Sequence, residues 1–208
     1  IITSETGFLK NSQIIDLRRQ LNPHFLFNTL NAINQLALLE GALETQELTL
    51  QFSEYLRYVM RKQDQSELVS LEFELDGITR LLEIYRIRYR NQWKYEIFCP
   101  SNTKKVRIPF MILQPIVENS IFHGIEPSLS NGYLKINSRL VESFLIIEVA
   151  DNGVGYDPSS SSEGLGLKIV KQRLALHYGD MGHCHIISAP GKGTQVTLSI
   201  PSQGDFAS

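Results

Sequence analysis

Two sets of residues in this sequence have types and spacing that could do chemistry. The first is four short segments in the second half, which run from Gln114 to Gly124, Asp151 to Gly155, Gly164 to Leu167 and Gly191 to Thr194. Alone, Asp-Asn-Gly and Gly-Lys-Gly are typical of turns, and a Glu-Asn pair is typical of a polar helix face. Placed on strand ends and helix starts in this order, the four segments favour a ligand site.

The second and third segments predict contacts to a nucleotide. Asp151, at a strand end, can accept a hydrogen bond from an exocyclic amine such as that of adenine. Gly153 and Gly155 let the backbone come close to such a ligand. Gly164 and Gly166 open a helix, so backbone N–H groups can meet phosphate oxygens at its positive end.

Three further features complete this nucleotide hypothesis. Asn119 carries an uncharged oxygen of the kind that Mg²⁺ binds when it also shares phosphate oxygens. Thr194 closes the fourth segment and is expected beside the ligand. The serine-rich stretch 158–163 would be a mobile lid over the phosphates.

The second set of residues surrounds one histidine in the first half. Along the apolar register that begins at Ile14, His24 occupies a seam position, but Pro23 removes a backbone donor and can turn the imidazole outward. A neutral imidazole is a competent nucleophile near pH 7, because its pKa is about 6.5. Asn28, four residues on, shares its face and can orient the ring or a hydrolytic water. A packed or solvated histidine and a solvated asparagine remain the alternatives.

The elements that must position His24 are helical. Residues 10–63 contain few glycines and prolines and place apolar side chains at helical spacing, which predicts two long helices that turn back near Gly41 as an antiparallel hairpin. Ile14, Leu17 and Leu21 leave an apolar stripe that a second copy could cover. We therefore expect a homodimer with a four-helix bundle.

The second half changes pattern. Ser70 can cap a helix that has Glu72 and Glu74 in its first turn and ends near Arg90. Beyond it the sequence predicts strands at 93–98, 133–140, 144–149, 183–188 and 194–200, and helices at 110–123 and 167–178. The expected fold class is α+β, with the helical hairpin followed by an α/β sandwich on a mixed sheet.

Composition excludes several classes of function. The 208 residues are 42% hydrophobic and 20% charged, which is typical of a globular protein. A net charge of −2 gives no general attraction to nucleic acid, so a phosphate site must be local. Two cysteines without ligand-like spacing argue against a disulfide framework or zinc site, and no apolar run is long enough to cross a bilayer. Membrane contact is expected only through a region outside this chain.

The four segments resemble the ATP-binding domain shared by gyrase, the Hsp90 chaperone, histidine kinases and MutL. The resemblance covers about residues 93–201 and implies a Bergerat fold. It also implies that Asp151 reads adenine, Asn119 binds magnesium and 158–163 forms the ATP lid. Relatives that hydrolyse ATP carry a catalytic glutamate where Pro115 stands, which argues against a plain ATPase.

The first half chooses among those relatives. Leu21-Asn-Pro-His-Phe-Leu-Phe-Asn-Thr-Leu-Asn31 resembles the phosphoacceptor box of LytS/YehU-type sensor histidine kinases. Val117-Glu-Asn-Ser-Ile-Phe-His-Gly124 is similar to the nucleotide motif of the same family. This resemblance implies autophosphorylation of His24 and transfer to an aspartate on a response regulator receiver domain.

Three positions depart from the family pattern. Phe25 stands where many histidine kinases place an acidic residue, which makes Glu118 the candidate substitute. Phe122 replaces a frequent basic residue, so His123 or Lys171 would supply positive charge near the phosphates. Ile169 replaces the usual asparagine and puts one phosphate or lid contact in doubt.

The sequence therefore predicts the cytoplasmic kinase core of an inner- or plasma-membrane sensor. Residues 1–66 would form the dimerisation and phosphotransfer helices, 67–92 a connecting helix and 93–208 the ATP-binding domain. The catalytic candidates are His24, Asn28 and Glu118. The candidates for binding ATP and Mg²⁺ are Asn119, His123, Asp151, Gly153, Gly155, Gly164, Gly166, Leu167, Lys171 and Thr194. An ATPase that drives conformational change and a degenerate dimeric scaffold remain the alternatives.

Overall fold

The computed structural model describes residues 23–61, 68–127, 131–157 and 164–202. The chain forms two compact units, divided between Ser53 and Glu54. Helix α1 (Pro23–Leu39) lies in the first unit, and helix α2 (Leu43–Arg61) begins there and ends in the second. The seam residues Ile14, Leu17 and Leu21 and the stretch 158–163 lie outside the described residues.

The turn near Gly41 ends α1 as the sequence predicts. Gly41 adopts a φ of 69°, which favours glycine. The N–H of Ala42 donates to the carbonyl of Ala37 at 2.8 Å, and the N–H of Gly41 donates to that of Leu38 at 3.2 Å. This is the Schellman arrangement, which satisfies two carbonyls at the helix end.

Both helices of the first unit expose apolar side chains. The exposed large residues are Phe25, Ile33, Leu36, Leu38, Leu39, Leu43, Leu50 and Phe52. So many large apolar side chains exposed on one pair of helices favour pairing with another protein surface. The four-helix dimer stays a prediction, as does the division of the chain at residues 66 and 92.

The second unit combines a sheet with helices. Its elements after α2 are β1 (Leu68–Ser70), α3 (Leu71–Arg88), β2 (Trp93–Phe98), β3 (Arg107–Pro109), α4 (Gln114–Asn119), β4 (Gly132–Val141), β5 (Phe144–Asp151), α5 (Leu165–Tyr178), β6 (His183–Ser188) and β7 (Thr194–Pro201). A π-helical turn, Ser120–Ile125, continues α4. None of the helices in the described ranges is long and apolar enough to span a bilayer.

A five-stranded sheet in the order β2-β4-β5-β7-β6 organises this unit. The β2–β4 pair is parallel and the other pairs are antiparallel, so the sheet is mixed as predicted. Alternate strand residues such as Leu145, Ile147 and Leu198 are fully buried, and they share one core with α3, α4 and α5. The α+β fold class is confirmed.

The predicted helix 110–123 differs from the structure at both ends. Helix α4 begins only at Gln114, because Met111 adopts a φ of 57° that no α-helix contains. Its last turns are π-helical rather than α-helical. The short strands β1 and β3 pair antiparallel and were not predicted, since three residues are too few for a period-two pattern.

The predicted cap of α3 is confirmed. The Ser70 hydroxyl accepts a hydrogen bond from the N–H of Phe73 at 3.2 Å, and Glu72 and Glu74 lie in the first turn. The helix ends at Arg88, two residues before the expected Arg90, which adopts a left-handed φ of 52°.

Replacing Ser70 by alanine should lower the free energy of unfolding by about 1 kcal/mol, because one N–H at the start of α3 loses its acceptor. Urea unfolding followed by circular dichroism measures this change. Ser101→Ala, at an exposed turn serine, is the control and should change stability little. Equal effects of the two substitutions would contradict the capping role.

Candidate functional site

A cavity of about 730 Å³ in the second unit gathers most of the predicted nucleotide-binding residues. Those that line it are Asn119, His123, Asp151, Gly155, Gly164, Leu167, Lys171 and Thr194. Gly153 and Gly166 are not among the lining residues, and they contribute through packing instead. The ends of β5 and α4 and the start of α5 thus meet at one site.

Asp151 is the most distinctive group in this cavity. It is only 7% exposed. Its Oδ1 accepts hydrogen bonds from the N–H groups of Gly153 at 3.0 Å and Thr194 at 3.2 Å. Among the described residues its buried Oδ2 has no hydrogen-bond partner. A buried acceptor of this kind costs free energy unless a ligand donor meets it, so it fits an exocyclic amine.

The electrostatics of Asp151 follow from the same contacts. Burial raises the pKa of its carboxyl group, and hydrogen bonds from the Gly153 N–H, the Ser120 hydroxyl and the Thr194 N–H oppose that rise. In the folded protein the proton is therefore held more tightly than in the unfolded chain. The stability that this group contributes falls as the pH rises from its unfolded pKa toward its folded one.

The segment after β5 packs against the end of the π-helical turn. A Cβ atom at Gly153 would lie 2.1 Å from the carbonyl carbon of Gly124, so only glycine fits there. The N–H of Val154 donates to the carbonyl of Gly124 at 2.9 Å. Asn152 instead serves the sheet, because its side chain accepts from the N–H of Tyr133 at 2.6 Å. Gly153 thus positions Asp151 through its close packing against the backbone of Gly124.

The fourth segment approaches Asp151 from the other side. Gly193 has a φ of 72°, and a Cβ atom there would lie 2.0 Å from the carbonyl oxygen of Asp151. This close approach brings the N–H of Thr194 to the carboxylate. The hydroxyl of Ser188 donates to the Gly193 carbonyl at 3.0 Å, and it lies 2.9 Å from the Thr194 hydroxyl.

Asn119 lies beside the start of α5. A Cβ atom at Gly166 would lie 3.4 Å from Nδ2 and 3.7 Å from Oδ1 of Asn119, and 3.3 Å from Cβ of Pro115. Gly164 is the N-cap of α5 and offers no side chain to its first turn. The amide oxygen and the positive helix end therefore adjoin, which suits a metal ion that shares phosphate oxygens.

The predicted positive charges and departures from the family pattern have clear positions. His123 and Lys171 are exposed and line the cavity. The ring of Phe122 packs edge-on against Tyr85 with centroids 5.2 Å apart. Glu118 is not a lining residue, and its Oε1 accepts a hydrogen bond from Gln114 Nε2 at 2.9 Å.

The first unit carries the other candidate residues. His24 is exposed, and Asn28 Nδ2 lies 3.2 Å from its Nδ1 and 3.4 Å from its Nε2. An amide can meet the ring with its N–H or its carbonyl, so Asn28 can support either neutral tautomer. Phe25 is 65% exposed and supplies no acidic partner beside the imidazole.

Sequence reasoning missed half of the cavity wall. The missed lining residues are Ile116, Ser120, Gly124, Tyr156, Cys184, His185, Ile186 and Val196. Strand alternation could have indicated some of them, since Cys184 and Ile186 pair with Leu198 and Val196 at inward-facing positions. No local pattern separates such a position at a cavity from one in a closed core.

Two family models match this chain. The one described as "Histidine kinase" matches residues 12–93, and the one described as "Histidine kinase-, DNA gyrase B-, and HSP90-like ATPase" matches residues 105–204.

Curated relatives cover both halves of the chain. "Sensor histidine kinase BtsS" of Escherichia coli strain K12 is 33% identical over 199 residues, which are 95% of this chain and 35% of the relative. "Sensor protein LytS" of Bacillus subtilis is 30% identical over 211 residues, or 96% of this chain and 35% of the relative. The chain thus spans about a third of the length of these relatives.

A solved structure supports the fold alone. The histidine kinase domain of the Erythrobacter litoralis EL346 blue-light activated histidine kinase has a TM-score of 0.54 at 16% identity. The match covers 86% of this chain and 96% of that structure.

Replacing Asp151 by asparagine should separate stability from ligand binding. The new Oδ1 can keep both backbone hydrogen bonds, while its N–H₂ group replaces the orphaned acceptor and repels an exocyclic amine. We expect thermal stability at neutral pH equal to or above that of the parent, and ATP affinity about a hundredfold weaker.

Differential scanning fluorimetry and isothermal titration calorimetry measure the two effects. Asp180→Asn, at an exposed carboxylate in the turn after α5, is the matched control and should leave both values unchanged. Retention of ATP affinity in Asp151→Asn would contradict the assignment.

Proposed function

Because this chain belongs to the LytS-type sensor histidine kinases and carries their catalytic core, we propose that it uses ATP to phosphorylate its own His24. The phosphoryl group would then pass to an aspartate on the receiver domain of a response regulator. One observation carries the proposal: an exposed imidazole beside an amide belongs to the same chain as a cavity of about 730 Å³ that is lined by a carboxylate with an unmatched oxygen.

The residues of the second unit would hold the nucleotide at its two ends. Asp151 Oδ2 would accept the exocyclic amine of adenine, while the apolar wall that includes Leu167 and Ile186 contacts the base. The start of α5 and the side chains of His123 and Lys171 would face the phosphates. These contacts orient the nucleotide and exclude water from the base.

Asn119 is the proposed protein ligand of Mg²⁺. Its amide lies at the cavity wall beside the N-terminus of α5, as such a ligand requires. A bound magnesium ion would neutralise charge on the phosphates during transfer. Pro115, in the first turn of α4, cannot act as a base for water attack, which favours transfer to a protein group over hydrolysis.

His24 is the proposed nucleophile. Its exposure allows an approach to a phosphorus atom, and Asn28 would hold the ring so that one nitrogen presents its lone pair. In-line transfer then depends mainly on positioning and charge neutralisation. Glu118 stays the candidate proton acceptor; it lies outside the cavity lining, and its Oε1 accepts a hydrogen bond from Gln114.

The assembly around this core is also a proposal. The exposed apolar residues of α1 and α2 support a homodimer, since a second copy could cover them in a four-helix bundle. The relatives are sensors about three times as long as the matched region, which supports a role as the cytoplasmic catalytic part of a longer membrane sensor.

Incubation with ATP labelled on its γ-phosphate tests the proposed reaction. We expect acid-labile, base-stable label on the chain, as is typical of phosphohistidine, and its complete loss in His24→Gln. His183→Gln, at an exposed histidine on β6, should retain the label. Label that survives in His24→Gln would refute the site, free phosphate alone would indicate an ATPase, and neither product would indicate a scaffold.

Asn119→Ala should abolish the labelling, because the magnesium ion that binds the phosphates loses its protein ligand. Asn137→Ala, on the sheet strand β4 away from the cavity, is the matched control. A magnesium titration of the labelling rate measures the effect. Full activity in Asn119→Ala would contradict the metal assignment.

A further inference from the structure

Glu74 is a buried carboxylate to which the proposed reaction gives no role. It is fully buried on α3. Its Oε2 accepts hydrogen bonds from the Tyr58 hydroxyl and the Met111 N–H, both at 2.8 Å, and its Oε1 accepts one from the Leu113 N–H at 3.1 Å. Burial raises the pKa of Glu74, and these three donors oppose the rise.

Arg173, on helix α5, binds the same stretch of backbone at Phe110 and Met111. Its Nη1, on α5, donates to the carbonyls of Phe110 at 2.7 Å and Met111 at 3.1 Å. Glu74 therefore binds the N–H of Met111 while Arg173 binds its carbonyl. Met111 has a left-handed φ of 57°, a conformation that costs free energy for a residue with a side chain. The two side chains supply the contacts that keep it there.

Glu74 and Arg173 together form a clamp on the backbone of residues 110–113, and this clamped segment leads directly into α4. Leu113 is the N-cap of α4, and it offers no side-chain cap of its own, so the bond from its N–H to Glu74 anchors the helix start. Asn119 is the last residue of this six-residue helix. Arg173 belongs to the helix whose first turn adjoins Asn119. The clamp thus contacts both α4 and α5, the two helices that meet at Asn119, the proposed magnesium ligand.

Tyr58 brings helix α2 into this arrangement. Its side chain is 5% exposed, and its ring lies so close to Gly77 that a Cβ atom there would be 2.2 Å from Cζ. Phe73 and Phe110 pack around the ring with centroids 5.1 and 5.2 Å away. The ring is held by packing, so its hydroxyl makes a directed bond from the end of α2 to Glu74.

We propose that Tyr58, Glu74 and Arg173 are positioning residues that set the geometry of Asn119 and make magnesium-nucleotide binding depend on how the end of α2 is docked. This inference rests on the proposed function, since it assumes a magnesium-nucleotide in the cavity. Asp151 is anchored separately, by Gly153 and Thr194, so contacts to the base do not depend on the clamp.

The test compares two ligands on the full chain. Tyr58→Phe removes one hydroxyl and keeps the packed ring. We expect its affinity for magnesium-ATP to fall about tenfold, because the buried acceptor Glu74 loses a donor and the start of α4 shifts. Its affinity for adenosine, which has no phosphate, should stay that of the parent. Titration calorimetry and saturation-transfer NMR measure the two affinities.

Tyr95→Phe is the matched control. Its hydroxyl also donates to a carboxylate of α3, that of Glu83, but it lies on the edge strand β2 away from the clamp. We expect both affinities of this variant to equal those of the parent. Glu74→Gln, which preserves side-chain shape, should reproduce the selective loss seen in Tyr58→Phe, and circular dichroism verifies that each variant is folded.

The possible outcomes separate this inference from the proposed function. A selective loss of magnesium-ATP affinity in Tyr58→Phe and Glu74→Gln supports the clamp. Unchanged affinity, or an equal loss for both ligands, overturns the clamp and leaves the proposed function standing. A parent chain that binds neither ligand overturns both.

Discussion

The site depends on a difference in hydrogen bonding between the two carboxylate oxygens of Asp151. One oxygen is saturated by two backbone N–H groups from segments that are distant in sequence, and the other is buried without a partner among the described residues. The two N–H bonds to Oδ1 hold the segments of Gly153 and Thr194 close to β5. Glycine is required at positions 153 and 193, because a Cβ atom there would collide with neighbouring backbone. The unpartnered Oδ2 is an acceptor whose desolvation only a ligand can offset.

A second buried carboxylate, that of Glu74, orders the opposite end of the site by the same physics. Both side chains accept hydrogen bonds from backbone N–H groups where elements begin or end: Met111, Leu113 and Gly153 lie in connecting segments, and Thr194 is the first residue of β7. Their difference is instructive. Both oxygens of Glu74 accept hydrogen bonds from the protein, whereas Oδ2 of Asp151 has no partner among the described residues. Glu74 therefore stabilises the fold around the site, and Asp151 offers an acceptor to the ligand.

Strong local patterns made much of this structure predictable. The five strands, the Ser70 cap and the Gly41 turn follow from alternation, capping and glycine conformation, which act within a few residues. The start of α4 was predicted wrongly, because the helical pattern of 110–113 is overridden by long-range bonds to Glu74 and Arg173. The glycine motifs indicated the ligand-facing residues, but the inner wall from β6 and β7 depends on tertiary packing that sequence spacing does not encode.

The central claim is that Asp151 Oδ2 reads the exocyclic amine of an adenine base. A direct comparison of ATP with inosine triphosphate, which replaces that amine by a carbonyl, isolates this single contact. Titration of the unmodified chain with each nucleotide at the same magnesium concentration should give an affinity for ATP about a hundredfold higher, since the inosine carbonyl would face a carboxylate. Equal affinities for the two nucleotides would contradict the account.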